Sequence, residues 1–421
     1  LAVHLYIDAD GNLTNHQFVR GIMRSHARLT YEQAQEIFNN SSSCGSQSES
    51  AGSQQVVGDS AQANASQNDV KLWLNNLYGA YATLLKSRDS RGAMELDLPE
   101  YNIIIADDGG VGKVEKKMRL DSHKLIEECM VTANIAAAIT LEKHQLAGVY
   151  RVHEPPSDDK VEEVKHFLKS MGFSLNPSPT VKDFNKLLGK ARGTPMEALL
   201  SGAILRSQMQ ALYLPNNLGH FGLGLTHYSH FTSPIRRYSD LITHRAICAF
   251  LEGEKKSRMG PEGEALAAMA DHISTTERRS MLAEREARDR FITAFMAGSG
   301  DAKFEGFITG VGNYGVFVTL SETGASGLIR ISDLGRDYYM LEEKLHCLIG
   351  RDSGERFQLG QRLIVKLKQA DIQLGSLSFA LIEADAPPEM EFIPVATKPR
   401  RRRDNGKGKG KKKFQKRKKK R

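Results

Sequence analysis

FEGFITGVGNYGVFVTLSETGASGLIRISDL, residues 304–334, alternates β-branched and aromatic residues and breaks the alternation with glycines. That pattern belongs to short strands joined by tight turns, not to helix. With GQRLIVKLKQADIQLGSLSFALIE, residues 360–383, it supplies about five short strands, the strand count of an OB-type barrel. The barrel is therefore expected over residues 301–384. Tyr314 and Phe317 are expected on one face of the strand NYGVFV, with Lys303 and Arg330 supplying charge nearby. Aromatic rings beside cations suit stacking on a single-stranded nucleic acid, while Phe317 could equally belong to the barrel core.

Upstream of residue 300 the pattern changes to helix. DSHKLIEECMVTANIAAAITLEKH, residues 121–144, places Leu125, Cys129, Thr132 and Ala133 on one stripe and offers Asp121 or Ser122 as its cap. Residues 157–210 are expected to be helical with a Pro-rich break, NPSPTVKDF, and the stretches 239–254 and 261–298 add two more helices. Two hairpins precede them, around the D-G turn at residues 9–12 and around ADDGGVGK. Asp8, Asp10 and Asn12 have calcium-loop spacing, but Leu13 and Val19 stand where that loop needs Gly and Glu. ADDGGVGK is likewise no phosphate loop, because Asp107 and Val114 replace its first Gly and its Ser/Thr. The Ser/Gln-rich residues 40–68 read as a flexible insertion.

The 421 residues carry a formal charge of +8, unevenly spread. Lys398 to Arg421 holds 16 basic residues against Asp404, so the tail contributes +15 and the remainder about −7. A like-charged, Gly-containing tail over 385–421 is expected to be disordered. It suits a sequence-blind polyanion anchor or a simple solubilising role. The four scattered cysteines form no metal or disulfide pattern and fit a reducing cytoplasm. No apolar run reaches the roughly 20 residues of a membrane span. The chain opens on Leu1, within an apparent strand, and is expected to be the C-terminal part of something longer.

HFGLGLTHYSHFTSPIRRYSD, residues 220–240, carries the chemistry. Three histidines invite a metal reading, yet no carboxylate or cysteine lies at matching spacing. Pro234 restricts its own φ and its neighbour, and is expected in the first turn of the following helix. A helix start there would attract an anion, and Arg236 and Arg237 would add two guanidinium forks suited to phosphate. Either arginine could instead pair with Asp240.

This stretch, continued through LITHRAI, resembles the signature of the RNB-type exoribonucleases, in the ribonuclease R branch. MRSHARLTYEQ, RGAMELDLPE, HKLIEECMVTANIAAA, YRVHEPPS and AEREARDRF agree in the family's order. The resemblance implies an α+β protein: a partial RNB catalytic domain over 1–300, a mixed sheet with helices, then an OB-fold domain similar to the ribosomal S-one type, then the basic tail. It implies processive 3′-to-5′ hydrolysis of RNA to 5′-mononucleotides with magnesium as cofactor, in a cytoplasmic monomer that takes single-stranded RNA 3′ ends. Arg236 matches the arginine that contacts the scissile phosphate, and Arg237 is its basic neighbour. Glu127 matches a glutamate near the terminal nucleotide, against the alternative of a solvated helix carboxylate. Glu284 matches a glutamate that affects RNA grip. His220, Tyr228, His230 and Tyr238 are expected to shape the pocket. Leu96 stands where many relatives have a base-stacking phenylalanine, and relatives often have histidine at Arg330. The family's four metal-binding aspartates find no match here and are expected upstream of Leu1. The chain alone is thus expected to bind RNA without turnover. The competing reading is a non-catalytic RNA-binding protein on a degenerate scaffold.

Overall fold

The computed structural model describes residues 1–42, 67–96, 99–170, 172–193, 197–254, 261–342 and 346–387. Most of the 40–68 insertion and of the basic tail therefore lies outside the described residues.

The barrel is present and closed. Strands β7 (Lys303–Gly312), β8 (Gly315–Leu320), β9 (Ser326–Arg330), β13 (Arg362–Asp371) and β14 (Ser376–Ala384) pair in the order β13-β14-β9-β8-β7, and β13 also pairs with β7. Alternation sets its inside: Val316, Val318 and Leu320 are buried on β8, and Leu363 and Val365 on β13. β14 runs parallel to β9, with Leu377 opposite Gly327. A second sheet, β10 (Tyr339–Glu342), β11 (Cys347–Gly350) and β12 (Arg356–Gln358), fills the connection between β9 and β13. The count of five strands did not include it. Its strands have only three or four residues, too few to show a period in sequence.

The N-terminal part is built around α3 (Asp121–Lys143), whose Ala136, Ala137, Ala138 and Leu141 have no solvent exposure. Its N-cap is Leu120, not Asp121 or Ser122; the His123 ring accepts the Leu120 N–H at 3.2 Å and does the capping. Hairpin β1 (Ala2–Ile7)–β2 (Leu13–Val19) lies against α3 through Phe18, which also meets Phe231 edge-to-face at 5.1 Å. Helices α1 (Tyr31–Ser42) and α2 (Gln67–Arg91) flank α3 on another side through Tyr78, Tyr81 and Leu125. β3 (Tyr101–Ile105) and β4 (Val111–Lys116) form the second hairpin, and β5 (Tyr150–Val152) pairs with β6 (Leu212–Leu214).

Residues 157–210 resolve into α4 (Asp158–Ser170), α5 (Val181–Ala191) and α6 (Glu197–Ser207). On α5, Val181, Phe184, Leu187, Leu188 and Ala191 recur at helical spacing and are buried. These three helices share one apolar core with the barrel: Phe167, Phe184, Leu200 and Ile204 belong to the same cluster as Ile308, Phe357 and Phe379. Burying each such side chain contributes about 1.5–3 kcal/mol. Helix α7 (Tyr238–Leu251) packs beside α3, and α8 (Gly263–Ala297) runs from the α7 region to the barrel.

Candidate functional site

The turn before α7 is closed at its base. Arg236 and Arg237 donate their backbone N–H groups to the Ser233 carbonyl at 3.2 and 3.0 Å, and Pro234, Ile235 and Arg236 form the projecting turn. Pro234 therefore precedes α7 and is not in its first turn, as the sequence had suggested; Arg237 is the N-cap. The cause is Asp240, which is completely buried in the first turn of α7. It accepts the Ser233 N–H at 2.7 Å and the Ser239 hydroxyl at 3.0 Å. Its remaining acceptor positions take the Arg237 fork, Nε at 2.9 Å and Nη2 at 2.8 Å.

The two arginines thus differ. Arg237 is largely covered and bidentate on Asp240, with a further weak contact from Nη2 to the Thr232 hydroxyl at 3.4 Å. Arg236 is exposed, beside a fully exposed Ile235, and its guanidinium has no hydrogen bond or ion pair among the described residues. Tyr238 is also exposed at the rim.

Behind the turn stands a row of rings. His153 and His220 have centroids 5.0 Å apart, His220 and Tyr228 5.2 Å, Tyr228 and His230 5.6 Å, and His230 and Tyr213 5.6 Å. Arg151 covers the far end, 4.7 Å above the Tyr213 ring, and pairs with Glu277 at 2.6 Å. Each polar ring atom used has a role in holding loops. His153 accepts the Gly222 N–H at 2.8 Å and donates to the Met209 carbonyl at 2.8 Å. His220 accepts from Leu223 N–H, His230 meets the Tyr213 hydroxyl at 2.7 Å, and Tyr228 accepts from Asn134 at 3.2 Å. Burial, then His153 and Arg151, pushes the His220 pKa down to about 3. Burial, then Arg237, Arg151, His220 and Arg236, pushes that of His230 down to about 2. Both rings are neutral at ordinary pH, chiefly because they are buried, with the nearby arginines opposing protonation of His230 further.

Glu127 ion-pairs with Arg119 and lies 3.7 Å from Arg88, half-exposed at the start of α3. Sequence reading missed its neighbours. Glu128 is buried and pairs with Arg88 and with Arg91, the latter at 3.2 Å, and Arg91 also donates to the Leu223 carbonyl at 3.2 Å. The available signal was the i,i+3 spacing of Arg88 and Arg91 on one helix facing a double glutamate. Tyr31, stacked on His123 with centroids 4.2 Å apart, carried no such signal.

The other expected residues are dispersed. Glu284 is exposed in a stretch of α8, residues 278–291, in which every residue is exposed. Leu96 is packed against the large apolar core. On the barrel, Tyr314 lies in the β7–β8 turn and not on a strand, so it does not share a strand face with Phe317. Both rings are exposed, and Phe317 lies outside the core. Arg330 pairs in register with Gly315 and so lies beside Tyr314, whereas Lys303 stands at the opposite end of β7.

Magnesium finds no fitting donor set here. Among the described residues no group of three or more His, Cys, Asp or Glu side chains is placed to hold a metal ion. Asp8 accepts from Asp10, Asn12 and the Asn12 amide in its own turn, and Asp108 accepts from Gly110. Nor is any described helix long and apolar enough to cross a membrane.

Comparison with known proteins is consistent with this geometry. A family model described as RNB domain matches residues 1–253, and one described as S1 RNA binding domain matches residues 300–382. The chain is 34% identical over 396 residues to ribonuclease R of Vibrio cholerae, covering 91% of this chain and 46% of that one. It is 32% identical over 399 residues to ribonuclease R of Escherichia coli, covering 92% and 47%. It thus spans about half the length of the curated relatives it matches. Among solved structures, Mycoplasma genitalium RNase R in complex with ribose methylated single-stranded RNA superposes with a TM-score of 0.79 at 25% identity, covering 90% of this chain and 57% of that one.

Proposed function

The chain belongs to the RNB-domain family, and from that membership we propose that it is the RNA-gripping part of a magnesium-dependent 3′-to-5′ exoribonuclease. The whole protein would degrade RNA processively to 5′-mononucleotides, as a cytoplasmic monomer. In this reading a single-stranded 3′ end enters beside the α7 turn, and Arg236 meets a backbone phosphate. Glu127 stands at the ribose, where a carboxylate can accept a hydrogen bond from a 2′-OH, the group that separates RNA from DNA. Tyr314, Phe317 and Arg330 offer stacking and charge to the strand on the barrel, and Glu284 borders its path. The single observation that carries the proposal is Arg236: an exposed guanidinium, unpaired among the described residues, on a turn held from behind by a buried carboxylate.

Magnesium would supply charge stabilisation and an activated water in such a reaction. The described residues offer it no carboxylate cluster, so no step is assigned to it, and the chain by itself is proposed to bind RNA without turning it over. The same observation favours the second reading, a non-catalytic RNA-binding protein. Both readings predict preference for RNA over DNA. In EDTA, an oligoadenylate should bind the chain more tightly than the matching oligodeoxyadenylate, and Glu127→Gln should narrow the gap. Equal binding of the two strands by the unmodified chain would overturn the RNA-binding reading.

A further inference from the structure

We propose that Asp240 divides the work of the twin arginines: Arg237 is a strut that closes the turn, and Arg236 alone meets phosphate. Asp240 is then a positioning residue. This inference rests on the RNA-binding reading and goes beyond it, because it assigns Arg237 and Asp240 the work of holding the turn that presents Arg236.

An ionised carboxylate offers about four acceptor positions. Those of Asp240 receive Ser233 N–H at 2.7 Å, Ser239 Oγ at 3.0 Å, Arg237 Nε at 2.9 Å and Arg237 Nη2 at 2.8 Å. The set is saturated and has no access to solvent. Turning Arg237 towards a phosphate would strand a buried charge, which is strongly unfavourable. Its positive charge is paired with Asp240. Arg236 has neither restraint. Its backbone is held by the Ser233 carbonyl at 3.2 Å and by the ring of Pro234, while its side chain is exposed. The i,i+3 step from Arg237 to Asp240 decides which of the two neighbours turns inward.

The two roles ask for different chemistry. A phosphate contact needs a mobile positive charge, which lysine also provides; a strut on Asp240 needs the planar fork, which lysine lacks. The salt dependence of oligoadenylate binding, measured in EDTA, separates them. Each phosphate contact to a single strand contributes about 0.7 to the slope of log K against log salt. Arg236→Gln should lower the slope by about that amount, and Arg236→Lys should restore it. Arg237→Gln should weaken binding at an unchanged slope, and Arg237→Lys should not rescue it. Arg237→Lys keeps the charge in the same pocket and carries the test if Arg237→Gln does not fold. A slope lowered by Arg237→Gln, or binding rescued by Arg237→Lys, would overturn the division while leaving the RNA-binding reading intact. Failure of the unmodified chain to bind the oligonucleotide would overturn both.

Discussion

At the scale of single residues, the site is organised by side chains that hold its loops in place. His220 and His230 illustrate this, since each uses a ring nitrogen to hold its surroundings, and burial keeps both neutral. Their pKa values in the fold lie below the ordinary value of 6.5. Below pH 6.5 the unfolded chain therefore takes up protons that the folded chain refuses. The stability they contribute is complete above that pH and is lost as pH falls, towards about 3 for His220 and about 2 for His230, by up to ~1.4 kcal/mol per pH unit for each histidine. Urea unfolding at several pH values should show this decline, and His220→Asn, which retains an acceptor for Leu223 N–H, should reduce its steepness. Identical slopes for the two proteins would show that His220 is not buried neutral. For the arginines next to this row, the family resemblance singled out Arg236 in sequence; what turns Arg237 inward is the position of Asp240, set by where α7 begins.

Elements were legible to the degree that they carry a period. The barrel strands alternate and α3 keeps a stripe, so both could be read, whereas the start of α5 fell within the expected Pro-rich break. The short meander β10–β12 and the three-residue turn at Pro234 have no period, and tertiary hydrogen bonds define them. Contacts between elements were not legible either. Gly324 is an example: at φ +67° its missing side chain leaves room for the Tyr101 ring, and an added Cβ would come within 2.3 Å of it. Tyr101 also donates to the Ser321 carbonyl at 3.2 Å, which fastens the β3–β4 hairpin to the barrel. Gly253 has the same φ of +67°, and no atom of the described residues lies within 4 Å of the Cβ it would gain. Gly253→Ala should cost only backbone strain, about 1 kcal/mol, whereas Gly324→Ala should cost about 1–3 kcal/mol more in urea unfolding. Equal costs would mean that the hairpin is not seated there.

Across the whole molecule, the fold supplies a turn that exposes Arg236 and a barrel joined to the helices by one apolar core, and the sequence adds a basic tail to a body of opposite net charge. The fold class was readable because both halves carry their own signatures, the patterned barrel and the HFTSPIRRYSD motif. The manner in which one core joins them was not, since its residues come from segments more than 200 positions apart, such as Val164 and Phe379. We propose that this chain holds RNA without cutting it. The most direct measurement mixes the 421-residue chain with uniformly labelled oligoadenylate and magnesium, then follows retained RNA and released nucleotide together. Full-length RNA should be retained, with no release above a protein-free control. Steady release of 5′-mononucleotides, or no retention at all, would contradict it.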